Sequence, residues 1–108
     1  MERIESTILK NLIHNEDYAR KVIPFIQPDY FEDRNEKVIF EEITSFIVKY
    51  DSSISIEALN IEVDNRTDLN DDEVKNIHEI NQSLEKSIVD DQWLIDTTEK
   101  WCRDRAIY

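Results

Sequence analysis

The chain contains no glycine in 108 residues, and this absence constrains its fold and chemistry more than any other feature. Glycine is the residue that takes positive φ angles readily and lets a backbone approach a phosphate closely. A phosphate-binding P-loop and a dinucleotide-binding fingerprint both require glycine, so neither can be present. We therefore expect no bound cofactor in this chain and no ATP hydrolysis by this chain alone.

The length suits a single domain, and a fold of this size buries roughly two thirds of the surface that its unfolded chain exposes. The longest apolar run, Val22–Ile26, is short and is interrupted by Pro24, so the sequence shows no membrane span and no signal peptide. Cys102 is the single cysteine, which excludes an internal disulfide and fits a reducing compartment. We expect a cytoplasmic location.

Charge is unevenly distributed along the chain, whose formal net charge is −12. Residues 51–99 carry 14 acidic and 3 basic side chains, whereas residues 100–108 carry 1 acidic and 3 basic ones. Proteins hold nucleic acid largely by neutralising phosphates with lysine and arginine. We therefore expect no direct grip on nucleic acid by this chain alone, and we interpret the acidic part as a solvated surface.

The spacing of apolar residues predicts an all-α fold, a compact bundle of about five to six short helices. Asn15, Asp33 and Ser55 are predicted N-caps, and Asn70 with Glu73 has the spacing of a capping box. We expect the third helix to anchor the core and residues 27–31 to form a connector. The predicted segments run from Ile4 to about His14, Asn15 to Ile23, Asp33 to Asp51, Ser55 to about Val63, Asn70 to Leu84, and Asp90 to the end of the chain.

The last predicted helix carries both tryptophans, eight residues apart, and we expect them on nearly the same side of the helix. Core packing is the favoured interpretation of this stripe, which comprises Trp93, Leu94, Thr97, Trp101 and Tyr108. The alternative is a partner-binding seam, because tryptophan and tyrosine anchor interfaces well. Its candidate residues are Trp93, Trp101, Arg105 and Tyr108. No glycine, proline or asparagine ends the helix, which suggests that it continues in a longer protein.

The titratable residues do not form a persuasive catalytic or metal-binding set. His78 lies five residues after Glu73, whereas two ligands on one helical face are three or four apart. His14 is interpreted as a surface residue near a helix end, and Cys102 as a partly buried thiol. The acidic pair at 90–91 is interpreted as the start of the last helix, where negative charge is favourable.

The order and spacing of core-type residues resemble the DnaB-type hexameric helicase family, in particular its replicative members from T4-like bacteriophages. The resemblance covers nearly the whole chain and is weakest from Asn65 to Val89. In the first half the matching residues are Ile8-Leu9, Leu12-Ile13, Tyr18, Lys21-Val22-Ile23-Pro24-Phe25, Tyr30-Phe31-Glu32, Phe40, Ile43 and Tyr50. In the second half they are Ser53-Ile54-Ser55-Ile56, Ala58-Leu59-Asn60, Trp93-Leu94, Thr98-Glu99-Lys100 and Arg105-Ala106.

The resemblance implies that residues 1–108 form a single helical N-terminal domain, part of the collar of a ring helicase, whose last helix leads into a helical hairpin. It implies a non-catalytic role in ring assembly and in docking primase or a helicase loader during DNA replication. The ATPase domain, which binds ATP and Mg²⁺, would lie outside this chain. The whole protein would move 5′ to 3′ along DNA in the infected host cell. The alternative is a free-standing acidic phage protein that binds a host DNA-binding protein by charge mimicry.

Overall fold

The computed structural model describes residues 3–106, which form six α-helices and no strand. This confirms the predicted all-α fold. No helix in this part of the chain is both long and apolar enough to cross a membrane. The helices are α1 (Ile4–His14), α2 (Glu16–Val22), α3 (Arg34–Tyr50), α4 (Ile56–Asp64), α5 (Asp71–Ser83) and α6 (Asp91–Ala106), with short 3₁₀ turns at Ile23–Phe25 and Pro28–Tyr30.

Side-chain caps start four of the helices, as predicted from the sequence. In each case an oxygen of the cap accepts a hydrogen bond from a backbone N–H in the first turn, which would otherwise lack a partner. The capping box at the start of α5 is complete, since the Glu73 carboxylate also accepts a hydrogen bond from the backbone N–H of Asn70 at 3.1 Å. The four caps are Asn15, Asp33, Ser55 and Asn70.

The end of α3 uses an aspartate where a glycine is common. Asp51 has φ 52° and ψ 38°, in the left-handed region, and its backbone N–H donates to the carbonyl of Ile47 at 2.8 Å. Aspartate tolerates this conformation better than most residues. Its carboxylate also accepts a hydrogen bond from Arg20 at 2.8 Å, which ties the turn to α2.

Helix α1 is the most enclosed element, with eight of its eleven residues buried. Ile8, Leu9 and Leu12 are fully buried, and the helix packs against both α2 and α3. Helix α3 buries five of its seventeen residues, but it packs against α1, α4, α5 and the second 3₁₀ turn, which agrees with the expectation that the third helix anchors the core. Even polar residues of α1 are enclosed, and the Asn11 side chain donates to the carbonyl of Thr7 at 2.8 Å.

Aromatic side chains attach α6 to the rest of the bundle. The 3₁₀ turn before Phe31 places its ring between Phe40 of α3, at 5.2 Å between centroids, and Trp101 of α6, at 5.0 Å. Tyr30 meets the Trp101 ring edge-on at 6.0 Å and 82°. Such pairs add to the free energy gained from burying their surface. The segment 27–31 is thus a connector whose last two residues, Tyr30 and Phe31, pack against the core.

Replacing Trp101 by alanine should lower the free energy of unfolding by about 3–5 kcal/mol, the usual cost of truncating a large buried aromatic. The matched control is Trp93→Ala, which removes the same side chain from a position that is 50% exposed and should cost less than about 0.5 kcal/mol. Urea unfolding followed by circular dichroism measures both. Equal losses for the two variants would contradict the assignment of Trp101 to the core.

Replacing Asn70 by alanine should lower the free energy of unfolding by about 1 kcal/mol, because the N–H of Glu73 loses its acceptor. Asn70→Ser keeps a capping oxygen and should retain most of the stability. Chemical denaturation of the three proteins side by side tests this. A serine variant as unstable as the alanine variant would show that the cap contributes little.

Candidate functional site

Of the four residues predicted as a partner-binding seam, the structure brings Trp101 and Arg105 together and places Trp93 apart from them. Trp101 is 6% exposed, Trp93 is 50% exposed, and Arg105 is intermediate. Tyr108 lies outside the described residues. Trp101 and Arg105 are in contact, whereas Trp93 lies two turns away at the start of α6.

The two tryptophans do not share one side of α6, so that part of the prediction is wrong. Eight residues of an α-helix correspond to about 80° of rotation beyond two full turns, which is enough to turn one ring out of the core when the other is buried. The buried side is set instead by Leu94, Thr98, Trp101 and Cys102. Thr98, rather than the predicted Thr97, faces inward and its hydroxyl shares a 2.7 Å hydrogen bond with the hydroxyl of Tyr18.

Arg105 holds the end of α6 against two other segments. Its guanidinium lies over the Trp101 ring at 5.6 Å from the centroid. The same group donates hydrogen bonds to the carboxylates of Glu5, at 2.9 Å, and Glu32, at 3.1 Å. A planar guanidinium suits this combination of stacking and forked hydrogen bonding.

A second arginine extends these contacts into a charged network. Arg3 donates two hydrogen bonds to the carboxylate of Glu36, at 3.0 and 3.1 Å, and also lies 3.6 Å from Glu5. Burial raises the pKa of Glu36. Burial also acts to raise the pKa of Glu5, but its own backbone N–H, the charge of Arg3 and the contact with Arg105 outweigh this and lower it. The network joins the first turns of α1 and α3 to the last turn of α6.

An apolar groove of about 320 Å³ lies beside this network, between the first 3₁₀ turn and the last turns of α6. Phe25 stands at its edge with 64% of the residue exposed. An exposed aromatic residue beside an apolar groove is typical of a protein-binding surface. The groove is lined by Phe25, Tyr30, Glu99, Cys102, Arg103 and Ala106.

Cys102 lies in the wall of the groove as a largely buried thiol, as the sequence predicted. Burial, and secondarily the negative charge of Glu99, raises the pKa of this thiol. The thiolate is the reactive form of cysteine. The surroundings of Cys102 therefore favour a packing role over a nucleophilic one.

The two histidines lie apart and contact neither each other nor the acids of residues 71–73. The Nε2 atom of His14 is 2.8 Å from the carbonyl oxygen of Leu84. The Nε2 atom of His78 is 2.8 Å from the carboxylate of Asp64. Within residues 3–106, no three His, Cys, Asp or Glu side chains gather where they could hold a metal ion.

The acidic pair at 90–91 opens α6, as predicted. The Asp90 carboxylate accepts a hydrogen bond from the backbone N–H of Trp93 at 2.8 Å. The negative charge therefore lies at the positive end of the helix dipole.

Sequence reasoning missed Phe25 and the two carboxylates that bind Arg105. Glu5 is 100 positions from Arg105 in the chain, and Glu32 is 73 positions away. No local pattern connects residues at such separations. Phe25 carried a weak signal, since it directly follows Pro24, a residue that ends a helix and starts a turn.

The chain matches no protein-family model. It is 34% identical over 101 residues to the DnaB-like replicative helicase of Enterobacteria phage T4, an alignment that spans 94% of this chain. The chain spans only about a fifth of that relative's length, with 21% of it aligned. The resemblance seen in the sequence is thereby confirmed, and this all-α chain is similar to a segment of a phage DnaB-like replicative helicase.

Proposed function

We propose that the chain is the non-catalytic N-terminal domain of a bacteriophage replicative 5′ to 3′ DNA helicase, in which it serves ring assembly and docking of primase or a helicase loader. The observation that carries this proposal is the alignment of nearly the whole chain with about a fifth of a phage replicative helicase. A domain of that size is a small part of such an enzyme.

The chemistry of the helicase is assigned to the rest of the protein. ATP and Mg²⁺ in P-loop enzymes are held by a glycine-rich loop. This chain has no glycine, so its residues do not fit that role. DNA binding is assigned to the rest of the protein as well. Residues 51–99 carry 14 acidic side chains against 3 basic ones and would repel the phosphates of DNA. The domain acts through protein contacts in the cytoplasm of the infected cell.

The structure suits an adaptor because its C-terminal helix is firmly held. The contacts of Arg105 with Glu5 and Glu32 fix the last turn of α6 to the body of the domain. A segment that follows a rigidly held helix is oriented relative to the domain. By linking subunits and tethering a partner protein, such a domain raises the partner's effective concentration at the ring without chemistry of its own.

Trp93 is the residue that we favour as the contact between this domain and a partner protein. Its ring is 50% exposed, and its loss should leave the core intact. Tryptophan is enriched among the residues that contribute most to binding at protein interfaces, so an exposed tryptophan suits such a role. Trp101, by contrast, is buried in the core of the domain.

We expect Trp93→Ala, introduced into the whole helicase protein, to weaken subunit association or primase binding about tenfold, as expected for an interface anchor. The control is Val48→Ala, which truncates another exposed apolar residue, 82% exposed, on α3. Sedimentation velocity measures the ring, and fluorescence anisotropy with labelled primase or loader measures docking.

Two results would overturn the proposal. The first is a reading frame that stops directly after codon 108, without continuing into a G-x-x-x-x-G-K-[ST] motif. The second is a whole protein that, after deletion of residues 1–108, still forms rings and binds primase and loader normally. The Trp93 result separately tests which surface of the domain makes the contact.

A further inference from the structure

One stripe of α6 forms a wall of the apolar groove of about 320 Å³ beside Phe25, called here the α6 groove. The second, third and fourth residues of this stripe follow the first by three, four and seven positions, and residues with that spacing lie on one side of an α-helix. The groove is therefore bounded by a continuous stripe of the helix. The stripe comprises Glu99, Cys102, Arg103 and Ala106.

The two 3₁₀ turns form the rest of the α6 groove. Phe25 ends the first turn with 64% of the residue exposed, and Tyr30 ends the second and meets the Trp101 ring at 6.0 Å between centroids. The end of α6 is fixed in turn by the ion pairs of Arg105. A groove whose walls are fixed before binding loses little conformational entropy when it is filled.

The volume of the α6 groove fits one or two apolar side chains. Pockets for small molecules have volumes of about 300–1,000 Å³, and this groove lies at the lower end of that range. An apolar side chain in the groove also covers part of the exposed ring of Phe25, which is favourable in proportion to the area removed from water. The groove therefore suits the side chain of a leucine or a phenylalanine.

Arg103 is a charged group at the α6 groove that has no partner of its own. It is exposed, and its side chain forms no ion pair or hydrogen bond with any residue in the described range 3–106. It does not pair even with Glu99, although a spacing of four residues favours such a pair on a helix. The other five arginines each pair with a carboxylate; they are Arg3, Arg20, Arg34, Arg66 and Arg105.

The charge around the α6 groove differs from that of the rest of the chain. The formal net charge is −12, but residues 100–108 carry 3 basic side chains and 1 acidic one. An anionic group is therefore repelled by much of the chain and attracted at the end of α6, where the guanidinium of Arg103 offers hydrogen bonds. A long polyanion would extend into the acidic part of the domain, so a short segment with few negative charges fits better.

We propose that the α6 groove binds a short segment of a partner protein in which a leucine or phenylalanine lies next to an acidic residue. The apolar side chain enters the groove against Phe25, and the carboxylate accepts hydrogen bonds from the guanidinium of Arg103. Glu99, one turn earlier on the same stripe, repels an acidic residue placed there and so sets the direction of the segment along α6. This inference deepens the proposed docking role and rests on it.

The test titrates the 108-residue chain, labelled with ¹⁵N, with a peptide that contains leucine and phenylalanine next to two aspartates. We expect the largest chemical-shift changes at Phe25 and at residues 99–106. A matched peptide with asparagine in place of aspartate should bind about fivefold more weakly. Changes centred on another face of the domain, or equal binding of the two peptides, would overturn the proposal.

Matched variants separate a specific contact from general electrostatic attraction. Arg103→Gln should raise the Kd for the acidic peptide about fivefold and change that for the neutral peptide less than about twofold. The control Lys75→Gln removes the same charge from an exposed position on α5 that does not line the groove, and should change either Kd less than about twofold. Equal effects of the two variants on the acidic peptide would refute the contact with Arg103.

The variant Phe25→Ala tests the apolar half of the site. It should weaken the binding of both peptides, because both place an apolar side chain against this ring. The ring is largely exposed, so circular dichroism should show an unchanged fold. Unaltered binding of both peptides by this variant would refute the groove as the site.

Two other occupants of the α6 groove are distinguished by related measurements. A dimer in sedimentation equilibrium that Phe25→Ala abolishes would make a second copy the occupant, and chemical-shift changes at the same residues on adding oligothymidylate would make it a nucleic acid. Either result would overturn the proposal. The peptide titration needs no helicase assembly. Failure of the ring and primase experiments with an intact titration would therefore refute the adaptor role alone, while the reverse result would refute only the α6 groove.

Discussion

The position of the Trp101 ring between Phe31 and the guanidinium of Arg105 is the contact on which the rest of the structure depends. The contact of the Trp101 ring with Phe31 is hydrophobic and belongs to the core. The Arg105 guanidinium that lies over the ring belongs to an ionic network, which continues through Glu5 to Arg3. Because the ring is shared by both, α6 cannot leave the bundle without exposing aromatic surface and breaking partly buried ion pairs. The orientation of α6 is therefore a property of the core.

A chain without glycine must use other residues at the positions where its helices begin and end. Asp51 takes the left-handed conformation at the end of α3. Five of the described helices begin at Asn, Asp or Ser, residues whose short side chains accept hydrogen bonds from the free amides of the first turn. Folding without glycine also lowers the conformational entropy of the unfolded chain, which favours the native state. The same absence excludes a glycine-rich phosphate-binding loop from this chain.

The sequence predicted those parts of the fold that depend on neighbours in the chain. Helix bounds and caps follow from spacings of three and four residues, so the box at Asn70 and Glu73 could be recognised. The enclosure of α1 could not, because it depends on which helices surround it. The prediction that both tryptophans lie on the same side of α6 was wrong. Residues eight apart differ by about 80° around the helix axis, and the spacing alone does not show that this angle separates a buried ring from an exposed one. The contacts of Arg105 inside the domain could not be predicted, because its carboxylate partners lie 73 and 100 positions away in the chain.

The distribution of charge gives the two ends of α6 different properties. At its C-terminal end, Arg105 pairs with the carboxylates of Glu5 in α1 and Glu32 in the segment before α3, so its charge is neutralised inside the domain. At its N-terminal end, the Asp90 carboxylate accepts a hydrogen bond from the backbone N–H of Trp93, in the first turn of the helix itself. Ion pairs with other segments fix the orientation of a helix in the bundle, whereas a carboxylate at its first turn stabilises the helix itself. Local contacts therefore start α6, whereas contacts with residues far away in the chain hold its end in place.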